Sequence, residues 1–278
     1  MTESRANSLP RRILRTIVVL GLAIICAIPL YYVIVSSFKT NTEMTQHPFA
    51  LPQHWDLTKY QEAIADGSIW LAFGNSIVVT FFAVILQVAV GSLAAYAMIL
   101  KKNWLTVGMG AVLTIAFCIP VQSTLLPLYQ MEGAIGVVNT LPGLIALYLV
   151  DSAFCYYLVV GYMRKLPMEL LEAARVDGAG PFRIYWQIVL PLIRPILATV
   201  VVFQTLAVWN DFLRPSVFTT DQSKRTVVLQ VYNAVDTFST DWPLFMAITC
   251  IALAPVVVFF LFCQRYIVSG LVAGAVKG

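Results

Sequence analysis

Asp151 and Asp211 stand inside stretches of sequence that are otherwise almost wholly apolar. An ionisable side chain in such a setting faces a cavity, a partner charge or a passing polar solute, because contact with hydrocarbon costs it about 3 kcal/mol. Asp211 has Arg214 three residues on, so a local helical ion pair is one reading. The other is that Trp209, Asn210 and Asp211 line or brace a path through the protein. Gln122, Ser123 and Gln204 are further polar groups in apolar runs. They suit either contact with a polar solute or repair of backbone carbonyls freed where Pro120, Pro127 and Pro255 interrupt helices. This is the chemistry of binding and positioning, not of an enzyme.

Metal and nucleotide chemistry are not expected. His47 and His54 have no ligand-like spacing, and Cys26, Cys118, Cys155, Cys250 and Cys263 are dispersed singly through apolar runs, as buried small hydrophobes are. No segment fits G-x-x-x-x-G-K-[ST], and Gly274-Ala275-Val276-Lys277-Gly278 is no phosphate cradle, so the chain should not bind ATP.

A second set of charged groups has a different setting. Residues 172–191 read EAARVDGAGPFRIYWQIVLP, a charged, glycine-punctuated segment between two long apolar runs. Pro167 can open a helix whose positive end is met by Glu169 and Glu172. Leu170, Ala173, Ala174 and Asp177 continue it, and Gly178 suits the left-handed residue that closes helices. Pro181 starts a second short helix in which Phe182, Tyr185, Trp186 and Val189 form one stripe, ended by Leu190-Pro191. An amphipathic hairpin lying on lipid headgroups would also be charged, but Ala173-Ala174 offers little anchoring area. Small residues on an exposed helix suit close approach by another protein.

The elements that position these groups are membrane helices. Of 278 residues 59% are hydrophobic and only 12% charged, about half the charge of an ordinary soluble domain. The net charge of +4 is too small to suggest a nucleic-acid partner. Six runs have the roughly 20 apolar residues that a crossing needs: 14–36, 72–100, 105–129, 140–162, 195–218 and 244–264. The first is too long for a signal-peptide core and is read as a retained anchor. Thirteen of the eighteen Lys and Arg fall in the N-terminal stretch up to Arg15, at Lys101 and Lys102, from residue 164 to residue 194, or from Arg265 onward. The positive-inside rule therefore puts both termini in the cytoplasm. Counting from a cytoplasmic entry near Pro195, Asn210 is roughly 22 Å deep. The expected class is an all-α, six-span protein of the inner membrane, in contact with lipid. It divides into a segment 1–13, a membrane domain 14–264 that includes the loop 163–194, and a tail 265–278. Residues 39–70, with Pro48 and Pro52, and the polar stretch 219–243 would face outward.

The loop also carries a resemblance. Glu172, Ala173, Ala174, Gly178, Ile188, Leu190 and Pro191 keep every spacing of the loop motif of ABC importer permeases: Glu-Ala-Ala, three residues, Gly, nine residues, Ile, one residue, Leu-Pro. SSFKTNTEM, NSIVVT, IPVQSTLLPLY, WNDF and the terminal QRYIVSGLVAGAVKG resemble the carbohydrate-uptake branch of that family, over nearly the whole chain. The resemblance implies a second permease chain, two ATP-binding subunits carrying ATP and Mg, and an extracytoplasmic solute-binding protein. It implies that Glu172, Ala173, Ala174, Asp177, Gly178, Ile188, Leu190 and Pro191 couple to the ATPase. It places Gly270, Gly274, Lys277 and Gly278 against the ATPase pair, where composition alone suggests a frayed terminus. An ion-coupled transporter or a non-transporting scaffold are the alternatives. The first predicts an internal repeat that is not evident, and the second leaves the loop motif unexplained.

Overall fold

The fold is that of a computed structural model, which describes residues 8–65, 67–100, 103–235 and 241–275, with side chains from Arg12 to Gln264. Asp66, Lys101, Lys102, Lys277 and Gly278 lie outside the described residues. All regular structure among the described residues is helical: α1 (Ser8–Ser36), α2 (Asn41–Gln46), α3 (Thr58–Ala65), α4 (Ser68–Leu100), α5 (Trp104–Cys118), α6 (Val121–Ile135), α7 (Leu141–Leu147), α8 (Ser152–Met163), α9 (Met168–Val176), α10 (Pro181–Ile184), α11 (Leu190–Trp209), α12 (Leu213–Phe218), α13 (Val227–Asn233) and α14 (Trp242–Ala275). Helices are what an apolar chain must form in a bilayer, where no water satisfies an open backbone.

Five segments are long and apolar enough to cross a membrane: Arg12–Ser36, Ser68–Leu100, Leu141–Met163, Pro181–Trp209 and Trp242–Gln264. The expected third span is not continuous. Its halves, α5 and α6, meet at 110°, because Pro120 has no N–H to continue a helix and holds Ile119 in extended backbone. Beyond the break Ser123 donates both its N–H and its hydroxyl to the Pro120 carbonyl, at 3.1 and 2.7 Å, opening α6.

The fifth span differs from expectation at both ends. It starts at Pro181 rather than near Pro195 and stops at Trp209 rather than at residue 218. Leu190-Pro191 does not end the preceding helix. A π turn over Tyr185–Val189 joins α10 to α11, with the Leu190 N–H bonded to the Tyr185 carbonyl. This wide turn absorbs the hydrogen bond that Pro191 cannot make. α14 runs on through Ala275, so Gly270 and Gly274 are helical where composition alone suggested a frayed terminus.

Two compact units emerge. One comprises the chain up to Gly67 together with Val231–Leu253; the other comprises Ser68–Gln230 together with the chain from Ala254. In the first unit, Thr40 and Glu43 form a capping box at the start of α2. Hydrogen bonds from the Thr40 and Gln53 N–H groups hold the Glu43 carboxyl below its ordinary range. Lys59 bridges Asp241 at 2.5 Å and Glu62 at 2.9 Å, and the Asp241 hydrogen bond keeps its ammonium charged above the usual lysine value.

The core of the second unit is a helix sandwich of α4, α8 and α11, in which Ala95, Cys155, Val159, Val189, Ile193 and Val200 are sealed from solvent. Gly91 allows the close approach of α4 and α8: a Cβ there would lie 2.6 Å from both Cys155 Cβ and the Ser152 carbonyl. Between α7 and α8 the chain tightens to a 3₁₀ turn at Tyr148–Asp151. Two buried glutamines hold carbonyls of that turn: Gln87 Nε2 donates to Tyr148 at 2.9 Å and Gln204 Nε2 to Asp151 at 2.8 Å. Gln204 thus satisfies a backbone carbonyl, but at this 3₁₀ turn and not at a proline break.

Candidate functional site

The segment 167–191 holds two short helices joined by a glycine turn. Pro167, in extended backbone, precedes α9, and Glu169 sits in its first turn. Gly178 has φ +78°. Its N–H bonds to the Arg175 carbonyl at 3.0 Å and the next N–H, from Ala179, reaches back to Ala174 at 2.9 Å. This is the Schellman closure that only glycine makes without strain. Pro181 then opens α10, and Tyr96 Oη donates to the Pro181 carbonyl at 2.8 Å. Tyr185 and Ser92 share a hydroxyl–hydroxyl bond of 2.7 Å, and Arg175 donates to the Leu100 carbonyl at 2.9 Å. Both short helices are therefore tied to α4.

The inward and outward faces follow from this docking. Leu171, Ala174, Ile184, Tyr185 and Val189 are buried in the core of the unit. Glu172, Ala173, Asp177, Gly178 and Pro191 are exposed, and Ile188 and Leu190 are half-buried. Ala174 is not part of an exposed small-residue step as expected; it is the contact that seats α9. The supposed stripe also splits: Tyr185 and Val189 point inward while Phe182 and Trp186 are 78% and 62% exposed. The π turn changes the angular step between these positions, so a 3.6-residue count misplaces them.

The intramembrane aspartates belong to one cluster. Arg214 meets Asp151 in a bidentate pair, at 2.7 and 2.9 Å, and lies only 3.6 Å from Asp211. Its guanidinium also stands 4.6 Å from the centroid of the Tyr148 ring, a favourable cation–π distance. Asp211 accepts from Tyr148 Oη at 3.0 Å and from the N–H of Leu213, the first residue of α12, at 2.8 Å. The local Asp211–Arg214 pair exists but is the weaker half of a network whose main bond joins residues 63 apart in sequence. Nothing in the local sequence pattern marked Arg214 as the partner of Asp151, nor Tyr148 as a member.

Two cavities flank this cluster and α4. One, of about 420 Å³, is lined by Asp151, Arg214, Gln204, Phe117, Phe154 and Phe203 among others. A charged pair, an amide and aromatic walls suit a solute with hydroxyl groups on an otherwise apolar ring. The second, about 740 Å³, is almost wholly apolar and includes Trp209. Of the expected path residues, Gln204 and Trp209 thus line cavities. Asn210 closes α11 by bonding the Leu206 carbonyl at 2.9 Å. Asp211 braces the cluster, and Gln122 is exposed at the start of α6.

Comparison with known proteins decides the class. The family described as "Binding-protein-dependent transport system inner membrane component" matches residues 87–272. The chain belongs to this family. The permease is 34% identical, over 96% of its length and 97% of the relative's, to the probable starch degradation products transport system permease of Thermoanaerobacterium thermosulfurigenes. It is 32% identical, over 95% of its length and 97% of the relative's, to the melibiose/raffinose/stachyose import permease of Bacillus subtilis. Among solved structures, a bacterial ABC transporter for import of the acidic polysaccharide alginate superposes with a TM-score of 0.79 at 22% identity, covering 96% of the permease and 98% of that chain. That likeness shows the shared fold. The permease is thus a multi-pass subunit of an ABC importer, the reading its relatives favour over an ion-coupled transporter or a scaffold.

Proposed function

We propose that this permease forms one half of the path by which an ATP-driven importer takes up a carbohydrate or a related polyol, with both termini and the 167–191 segment in the cytoplasm. The observation that carries the reading is the docking of α9: its apolar side is locked to α4 while Glu172, Ala173 and Asp177 face outward. A partner ATPase, binding ATP and Mg, would seat on that face. Because Tyr96, Tyr185 and Arg175 tie the segment to α4, a shift of the ATPase would reach the spans without slack. A second permease chain completes the path, an extracytoplasmic binding protein delivers solute, and Gly270 to Gly278 contact the ATPase pair. The cavity of Asp151, Gln204 and Arg214 is the solute-facing wall contributed by this chain, and the sugar names of its relatives support the solute class. The test is uptake of labelled maltodextrins, raffinose and melibiose by cells carrying the complete transporter. We expect uptake of at least one that requires ATP hydrolysis and survives collapse of the proton gradient. Uptake that follows the ion gradient and ignores ATP would overturn the reading.

A further inference from the structure

The chain that leaves α1 folds back onto the span it has just left. α1 ends at Ser36, yet Tyr31 Oη donates to the Phe49 carbonyl at 2.9 Å, and the Tyr32 and Phe49 rings lie 5.7 Å apart. Tyr31 precedes Ser36 by about 7.5 Å of helix, and helical side chains lean towards the N-terminus, away from that end. The Phe49 backbone therefore sits about a turn below the end of the span. Trp55 is shallower, packed edge-on against Phe38 at 5.1 Å.

The fold-back is pinned from inside. Lys39, only 4% exposed, donates to the His47 and Pro48 carbonyls at 2.8 and 3.0 Å. Glu43 takes the N–H of Thr40 at 2.9 Å and that of Gln53 at 3.2 Å. Between and beyond these pins Phe49, Leu51 and Trp55 are 61%, 63% and 61% exposed. Lys39 is thus turned inward, with Glu43 half-buried beside it, while the large apolar side chains of Phe49, Leu51 and Trp55 face outward alongside the exposed polar Gln53 and His54. The surface they form is continuous with α1, whose apolar window has 0% of its residues buried.

We propose that residues 49–55 form a wedge seated in the lipid boundary, with Phe49 and Leu51 at the junction of acyl chains and headgroups and Trp55 at headgroup level. Aromatic side chains favour this zone, where an apolar ring meets a wet edge. A water-soluble partner is the poorer occupant, since covering Phe49 would require it to reach below the end of α1. The wedge would fix the height of a span that has no buried side chain of its own in that window.

The test uses the complete transporter in native membranes, with Phe49→p-benzoylphenylalanine and, as control, the same change at Gln46, an exposed residue of α2. Irradiation should give a phospholipid adduct at position 49 several-fold above that at 46. An adduct with another protein chain at 49, or equal lipid labelling at both positions, overturns the proposal. Independently, the fluorescence lost in Trp55→Phe should be quenched at least twofold better by brominated phospholipid vesicles than by acrylamide. The opposite order also overturns it.

Discussion

The 167–191 segment and the Asp151–Arg214 cluster carry the same kinds of charge in opposite settings. In the segment Glu172, Arg175, Asp177 and Arg183 are all exposed, and the apolar side chains do the docking. In the cluster the side chains of Arg214, Asp211 and Asp151 are 10%, 17% and 29% exposed, and they bond to one another. An exposed charge contributes little to its own fold, typically below about 1 kcal/mol, and is left free for a partner. A half-buried charge has already met its partners, so altering it disturbs the fold before it disturbs a ligand. Charge in this permease is therefore a poor guide to function until its surroundings are known.

The largest effect should come from the exposed set. Glu172→Lys reverses a charge that the proposed interface desolvates, where removing one partner of a pair commonly costs about 2–5 kcal/mol. Uptake should vanish and the ATPase should no longer co-purify, while thermal stability of the isolated permease stays within about 0.5 kcal/mol of the parent. Normal uptake, or a large loss of stability, would break the contrast between the two regions.

The cluster should respond the other way. Arg214→Met strands Asp151 without its cation, a change that costs about 3–5 kcal/mol for a buried pair. Denaturation of the purified permease should show it directly. Asp151→Asn combined with Arg214→Gln removes both charges and should recover most of that loss. Asp211→Asn combined with Arg214→Gln should not, because Asp151 remains unpaired. Equal stability of the two double variants would mean that Arg214 belongs to Asp211 after all.

The same contrast explains what the sequence could tell. The Gly178 turn, the Pro167 and Pro181 starts and the break at Pro120 rest on bonds spanning at most five residues, so spacing alone reveals them. The Asp151–Arg214 pair spans 63 residues and depends on how α7, α8 and α12 are placed, which no local pattern encodes. The inward turn of Ala174 and the splitting of Phe182 from Tyr185 were misread for an intermediate reason. Both depend on packing against α4, and the second also on the π turn at Tyr185–Val189, which departs from the regular helical period. Family resemblance singled out the segment 172–191; it did not say which of its residues face inward.

A smaller effect should follow at Gly178. Valine at φ +78° incurs a left-handed strain of about 1–2 kcal/mol. No atom lies within 4 Å of a Cβ built there, so the strain would come from the backbone alone. Gly178→Val should lower coupled ATP hydrolysis more than Gly178→Asn, since asparagine tolerates the left-handed region better. Equal activity of the two variants would show that the closing turn does not transmit force.

The smallest expected effect is at Arg175, which probes the boundary between the two kinds of charge. It is exposed like Glu172, yet its guanidinium already bonds the Leu100 carbonyl at 2.9 Å, as a charge serving the fold would. Arg175→Gln keeps a donor in place of the guanidinium and loses only a solvent-screened charge. Stability should change by no more than about 0.5 kcal/mol, and uptake should stay within about twofold of the parent. If uptake collapses while stability holds, Arg175 stands with Glu172 as a charge presented to the ATPase. If stability falls by several kcal/mol, its tie to the end of α4 anchors the segment far more strongly than exposure implies. Melting of the isolated permease and uptake by the full transporter, measured on this one variant, separate the three outcomes.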